Sequence, residues 1–226
     1  MKKLAIIAAL AALASCNFVQ VSGSSSSSKS IKASDNIITK TFDTGTFSGL
    51  ECNVAAKIEF TQAPEASVEI TTSDNILEYL DVSVRGSELR IAPRKGYRFK
   101  NLGTFSVKVS APSLEEVEIN GAGTFTAPFG IKSDSFALEM NGAAKIDICG
   151  LEARKVGIEL NGAADCTVKG LLAGEVEAEV NGAGNCTLAG KADSVDAEIN
   201  GVGNIDVSAL EAGDIKTKLN GVGTVR

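Results

Sequence analysis

Leu160-Asn161-Gly162-Ala163-Ala164-Asp165-Cys166-Thr167-Val168-Lys169-Gly170 returns one period later as Val180-Asn181-Gly182-Ala183-Gly184-Asn185-Cys186-Thr187-Leu188-Ala189-Gly190. The Asn-Gly pair that opens the stretch recurs at Asn120, Asn141, Asn161, Asn181, Asn200 and Asn220, with separations of 21, 20, 20, 19 and 20 residues. A period near 20, with a turn pair at fixed phase and β-branched residues between, describes a solenoid whose coils bury apolar faces only against neighbouring coils. The expected fold is all-β, a right-handed two-sheet β-solenoid with about 20 residues per coil.

A second turn signal stands nine residues after the Asn at Gly150, Gly170 and Gly190, so each coil is expected to hold two strands in a flat, two-sided cross-section. Cys166 and Val168 alternate with polar neighbours, as do Val176, Ala178 and Val180, which gives each strand one buried and one wet face. Stacking at roughly 4.8 Å then produces interior ladders. One runs Ile119, Met140, Leu160, Val180, Ile199, Leu219 and another Phe125, Ile146, Cys166, Cys186, Ile205, Val225. Residues 111–226 are the regular repeat. Residues 36–110 lack the Asn-Gly mark but alternate in the same manner, and read as an irregular β part of the same head that also covers one end of the stack.

Residues 1–15 read as a signal peptide: Lys2 and Lys3 form a basic start and Leu4 to Ala14 an apolar stretch too short to span a bilayer. Leu13-Ala14-Ser15-Cys16 resembles a lipobox, in which Cys16 takes a diacylglyceryl group and becomes the acylated first residue. Residues 16–35, with the run Ser24 to Ser28, read as the lipidated N-terminus and a Ser-rich tether. Loss of Lys2 and Lys3 would take the formal net charge from −6 to −8, a sign that argues against a nucleic-acid partner. The expected address is the cell envelope, lipid-anchored at the outer membrane, with surface and periplasmic faces both open.

Phe42 to Leu50, Val107 to Leu114, and above all Ile119-Asn120-Gly121-Ala122-Gly123 with its spaced copies resemble the auto-transporter adhesin head GIN domain family of bacteria. The resemblance covers nearly the whole mature chain. It implies a β superhelix related in shape to pectin-lyase folds, lipoproteins or secreted proteins of Bacteroidetes-type bacteria, no established catalytic residues, and a role in adhesion, with trimers as one form. This chain writes Asn-Gly where many members would carry Ser-Gly, and Asn141 and Asn161 are followed by Gly-Ala-Ala without the second Gly.

Three sets of residues are candidates for chemistry. The Asn ladder is read as structural, because Asn and Gly adopt positive φ at low cost and stacked amides can bond from coil to coil. Two residues before each Asn stand Glu118, Glu139, Glu159, Glu179 and Glu198, then Lys218; Glu116, Glu177 and Asp196 add to the face, and Lys216 again reverses the sign. Like charges one coil apart repel by about 1 kcal/mol per pair in water-like dielectric. Glu139, Glu159, Glu179 and Glu198 either form a solvated face or share Ca²⁺, a hard ion that takes oxygen ligands. The third set is Arg94, Lys95, Tyr97, Arg98 and Lys100, with Arg90 before them and Phe99 among them: either a solvated hairpin or a binding loop for anionic glycans or lipid headgroups. Cys52, Cys166 and Cys186 fall on buried phases and Cys149 on an outward one; stacked parallel Cβ vectors argue for free thiols.

The chain contains no His, which excludes Ser-His-Asp, Cys-His and His-based zinc chemistry. Neighbouring Glu rungs approximate the carboxylate spacing of a retaining glycosidase, yet a regular ladder gives no Glu a distinct pKa, and the chain has no Trp and two Tyr to stack sugars. The functional expectation is a lipid-anchored, non-catalytic adhesion module for a surface glycan or macromolecular partner. The alternative is a periplasm-facing structural protein that self-associates, end to end or as a trimer.

Overall fold

The computed structural model describes residues 28–226. The signal-peptide reading and Cys16 lie outside the described residues. In chain order the elements are β1 Lys29–Lys32, β2 Ile37–Phe42, β3 Gly49–Cys52, β4 Ala56–Gln62, β5 Ser67–Ser73, the short α1 Asp74–Leu77, β6 Leu80–Arg85, β7 Glu88–Pro93, β8 Tyr97–Lys100 and β9 Ser106–Ala111. There follow β10 Glu116–Ile119, β11 Ala122–Ala127, β12 Ile131–Lys132, β13 Ser135–Met140, β14 Ala143–Leu160, β15 Ala163–Val180, β16 Ala183–Ile199, β17 Val202–Leu219 and β18 Val222–Val225.

Coils of about 20 residues stack in parallel as a β-solenoid. Both interior ladders hold in register: Met140 pairs Leu160, Val180 and then Ile199, while Ile146 pairs Cys166, Cys186 and then Ile205. All of these side chains are buried, and Leu219 at the last rung is half exposed. The parallel stack continues past the repeat into the irregular half. β3 and β7 extend one side beyond β10, β4 and β9 extend the other beyond β11, and each side then ends in antiparallel strands, β6 on β7 and β2–β5 on β9.

Two features differ from the sequence expectation. Each full coil is one strand of 17 or 18 residues that stays paired around its corners. Its inward phase shifts twice: Ala164, Cys166 and Val168 are buried, then Leu171 and Ala173, then Val176, Ala178 and Val180. A short third apolar face therefore joins the two expected ones, and the cross-section is not flat. Two outward residues in succession mark each shift, a signal that alternation within a single strand does not reveal. The second difference is β1, which lies inside the expected 16–35 tether but pairs with β8. Ile31, the lone aliphatic residue of β1, is buried, and the Lys29 N–H donates to Gly96 O at 2.8 Å.

Candidate binding surfaces

The Asn side chains form a continuous chain of hydrogen bonds from coil to coil. Nδ2 of Asn120, Asn141, Asn161, Asn181, Asn200 and Asn220 donates to Oδ1 of the preceding rung at 2.8, 2.9, 3.0, 2.9, 2.9 and 2.7 Å. The acceptor for Asn120 is Asn53, a seventh rung that the Asn-Gly spacing does not mark because Val54 stands where the others have Gly. Its signal was the match between Leu50-Glu51-Cys52-Asn53 and Val117-Glu118-Ile119-Asn120.

The reason for Asn-Gly is not the one expected from turn chemistry. The only non-Gly residue with positive φ among the described residues is Asn101, and the glycines that follow the ladder Asn residues are likewise outside the left-handed region. These glycines are required by close approach. A Cβ on Gly162 would meet the backbone of Gly142, oxygen first, well inside contact distance, and Gly182 stands in the same relation to Gly162. At this corner consecutive coils lie backbone on backbone, which only Gly permits.

Each Asn amide has a second N–H. In Asn53, Asn120 and Asn141 it donates to the Glu two residues earlier, at 2.5, 2.6 and 2.8 Å. In Asn181, Asn200 and Asn220 it reaches the Glu of the preceding coil, at 3.4, 2.8 and 3.0 Å. The amide stack and the carboxylate row are thus one network. The row itself runs Glu51, Glu118, Glu139, Glu159, Glu179, Glu198 in direct register. It is closed by a cation at each end, with Arg90 opposite Glu51 and Lys218 opposite Glu198. Bonds from neutral N–H groups and two end cations offset the like-charge repulsion.

Glu139, Glu159, Glu179 and Glu198, which the sequence offered as a solvated face or a shared Ca²⁺ site, all lie on this row. Among the described residues no three acidic or thiol side chains converge on one point as metal ligands. The carboxylates stand in a line, and Glu139, Glu159, Glu179 and Glu198 each already accept an amide proton.

Arg90 leaves the basic set, since Glu51 holds it at 3.0 Å and Asp81 at 3.5 Å. The aromatic members turn inward: Tyr97 packs its ring 4.6 Å from that of Tyr79, and Phe99 lies against the core. Arg94, Lys95, Arg98 and Lys100 remain exposed.

Cys52, Cys166 and Cys186 are buried free thiols and Cys149 is exposed. Burial pushes Cys52 up to about 11. Cys166 is held well above the usual thiol range by its contact with the stacked Cys186 thiol, then by burial. Two shallow grooves also lie on the surface. One of about 440 Å³ is floored by Ala163, Ala183 and Val202 and edged by a second short ladder, in which the Asn204 amide donates to Asn185 and the Asn185 amide to the Asp165 carboxylate. The other, about 310 Å³, lies between Phe129, Cys149 and Leu172.

Stacked coils with hydrogen-bonded side-chain ladders on an outer corner define a parallel β-solenoid built for extended surface rather than for an enclosed pocket. The chain belongs to the family described as "Putative auto-transporter adhesin, head GIN domain", which matches residues 46–226. Solved structures share the fold. A "putative adhesin" from Bacteroides fragilis is 23% identical with a TM-score of 0.72, covering 86% of this chain and 98% of its own. A "putative adhesin" from Parabacteroides distasonis is 20% identical with a TM-score of 0.79, covering 87% and 84%. A "Putative lipid binding protein" from Parabacteroides distasonis is 18% identical with a TM-score of 0.62, covering 87% and 98%. No curated protein matches the chain.

Proposed function

We propose that this chain is a non-catalytic adhesion module of the cell envelope, anchored through acylated Cys16, that engages a surface glycan or macromolecular partner along its solenoid faces. The observation that carries the reading is the uninterrupted row from Arg90 to Lys218, which repeats one side-chain chemistry on successive coils. Equivalent groups at the strand spacing of roughly 4.8 Å suit an extended partner better than a single small molecule. Membership of an adhesin-head family supports the same class.

The test is protease shaving and antibody labelling of intact cells, with a periplasmic protein as the leakage control. Shaving of the repeat supports surface adhesion and directs a glycan-binding screen. Protection until the outer membrane is opened overturns it. One observation favours the scaffold reading: Ile215, Leu219 and Val222 of the last coil are 45, 50 and 71% exposed, an apolar sheet end able to meet another copy. A sedimenting monomer at high concentration would remove that reading.

A further inference from the structure

The β1–β8 ribbon has a composition unlike the rest of this acidic chain. Its register sets Lys29 beside Tyr97, Ser30 beside Arg98, Ile31 beside Phe99 and Lys32 beside Lys100. Ile31 is buried and Phe99 packs on the core, so the opposite face carries Lys32, Arg98 and Lys100, all exposed. Lys29 begins the ribbon, and Arg94 and Lys95 lie in the turn that leads from β7 into β8. That makes six basic residues, with no acid in 28–34 or 91–110, in a chain whose formal net charge is −6.

None of the six has an ion-pair partner among the described residues. Asp74 on the adjoining α1 is engaged instead by Ser34 at 2.5 Å and Asn36 at 2.8 Å. Lys32 and Lys100 stand directly opposite each other, an arrangement that destabilises a strand pair. A ribbon so arranged gains from an anionic surface laid against it.

We propose that this ribbon is a membrane-docking face that meets the anionic headgroups of the bilayer holding Cys16, an inference that rests on the lipid-anchor reading above. Position is the first argument. Residues 17–27 separate Cys16 from Ser28, a length that even fully extended reaches roughly 40 Å, so the ribbon is the first element of the fold reached from Cys16 and stays within that distance of it. Tethering keeps the local concentration of such a surface high, and each Lys or Arg adds about fivefold to the partition onto an anionic leaflet.

The inward rings supply the second argument. With Tyr97 packed at a tilt against Tyr79 and Phe99 against the core, the outer face offers charge without a flat platform on which a sugar ring could stack, which favours phosphate headgroups over a glycan. Docked in this way, the first rungs β6 and β7 lie toward the membrane and β17 and β18 stand at the far end.

The experiment uses the mature chain from residue 16 with Cys16→Ser, so that no acyl chain contributes. Its cosedimentation is measured with vesicles of phosphatidylcholine alone and of phosphatidylcholine with phosphatidylglycerol. Binding to the anionic vesicles only, lost on raising salt, is the expected result. Lys29→Gln, Lys32→Gln, Arg98→Gln and Lys100→Gln together lower it at least a hundredfold at an unchanged melting temperature. Lys132→Gln, Lys145→Gln, Lys155→Gln and Lys191→Gln, four exposed charges elsewhere, leave it within a few fold of the parent. Equal binding to both vesicle types, or equal binding by the ribbon variant, overturns the proposal. Retention on a sulfated polysaccharide column without vesicle binding also overturns it, in favour of an anionic glycan. Labelled palmitate uptake by the unmodified chain reads the anchor separately, so failure of the anchor and failure of the ribbon are told apart.

Discussion

Lys218 Nζ sits 2.6 Å from Glu198 Oε1 at the last rung of the carboxylate row. Two residues of the same coil beyond Lys218, Asn220 donates to that same oxygen at 3.0 Å. The Lys218 ammonium is the first cause that lowers the Glu198 carboxyl below its ordinary 4.5, and burial opposes it. A depressed carboxylate pKa contributes stability that is present above the unfolded value and lost as pH falls through the folded one. Lys218→Gln should therefore cost about 0.5 kcal/mol at neutral pH, since the pair is partly solvated, and nothing once Glu198 is protonated. Melting curves across acid pH check it; a cost that persists in acid would assign Lys218 a packing role.

Asp206 shows the same sign more strongly. Its carboxylate accepts from the Ser208 hydroxyl and N–H and from Arg226, in that order of effect, and is lowered from 3.8 to about 2. The stabilisation it gives is complete above 3.8 and disappears as pH falls toward about 2. Asp206→Asn should flatten the acid limb of the melting-temperature profile in that window while the parent keeps its slope.

The close approach of coils predicts an order of mutational damage. Asn161→Ala removes one donor and one acceptor from a solvent-reachable ladder and should cost about 1 kcal/mol. Gly162→Ala drives a methyl into the Gly142 backbone and should cost more, about 2 kcal/mol, or roughly 4–8 °C in melting temperature. Equal effects would return the Asn-Gly pair to turn chemistry.

Thiol accessibility gives a further measurement. With Cys16→Ser in place, a maleimide should label Cys149 alone in the native chain, and Cys52, Cys166 and Cys186 only after denaturation. Native labelling of Cys166 would mean that the coils part near that rung.

The sequence revealed what is periodic. Spacing of the Asn-Gly pairs placed the rungs, and alternation such as Val176, Ala178, Val180 placed the buried faces. It concealed what depends on contact between distant segments. Pairing of Lys29–Lys32 with Tyr97–Lys100 has no mark in either strand, so the head begins earlier than the Ser-rich run implied. Asn53 and Arg90, which begin the amide and carboxylate rows, lie where the repeat has lost its Gly. The third face of the coil shows only in the paired outward residues Lys169-Gly170 and Gly174-Glu175, which read as breaks in alternation until Leu171 and Ala173 are seen buried between them.

Backbone contact at Gly142, Gly162 and Gly182 makes the coil an indivisible unit of length. A gain or loss of chain is accommodated without breaking the amide column only in whole turns, apart from a corner such as that between Val168 and Leu171, where a single residue is dropped. Duplicating a coil would lengthen the molecule by roughly 4.8 Å and leave its side chemistry unchanged. Repeat number then works as a ruler, setting how far the distal coil stands from the first one independently of what the faces bind.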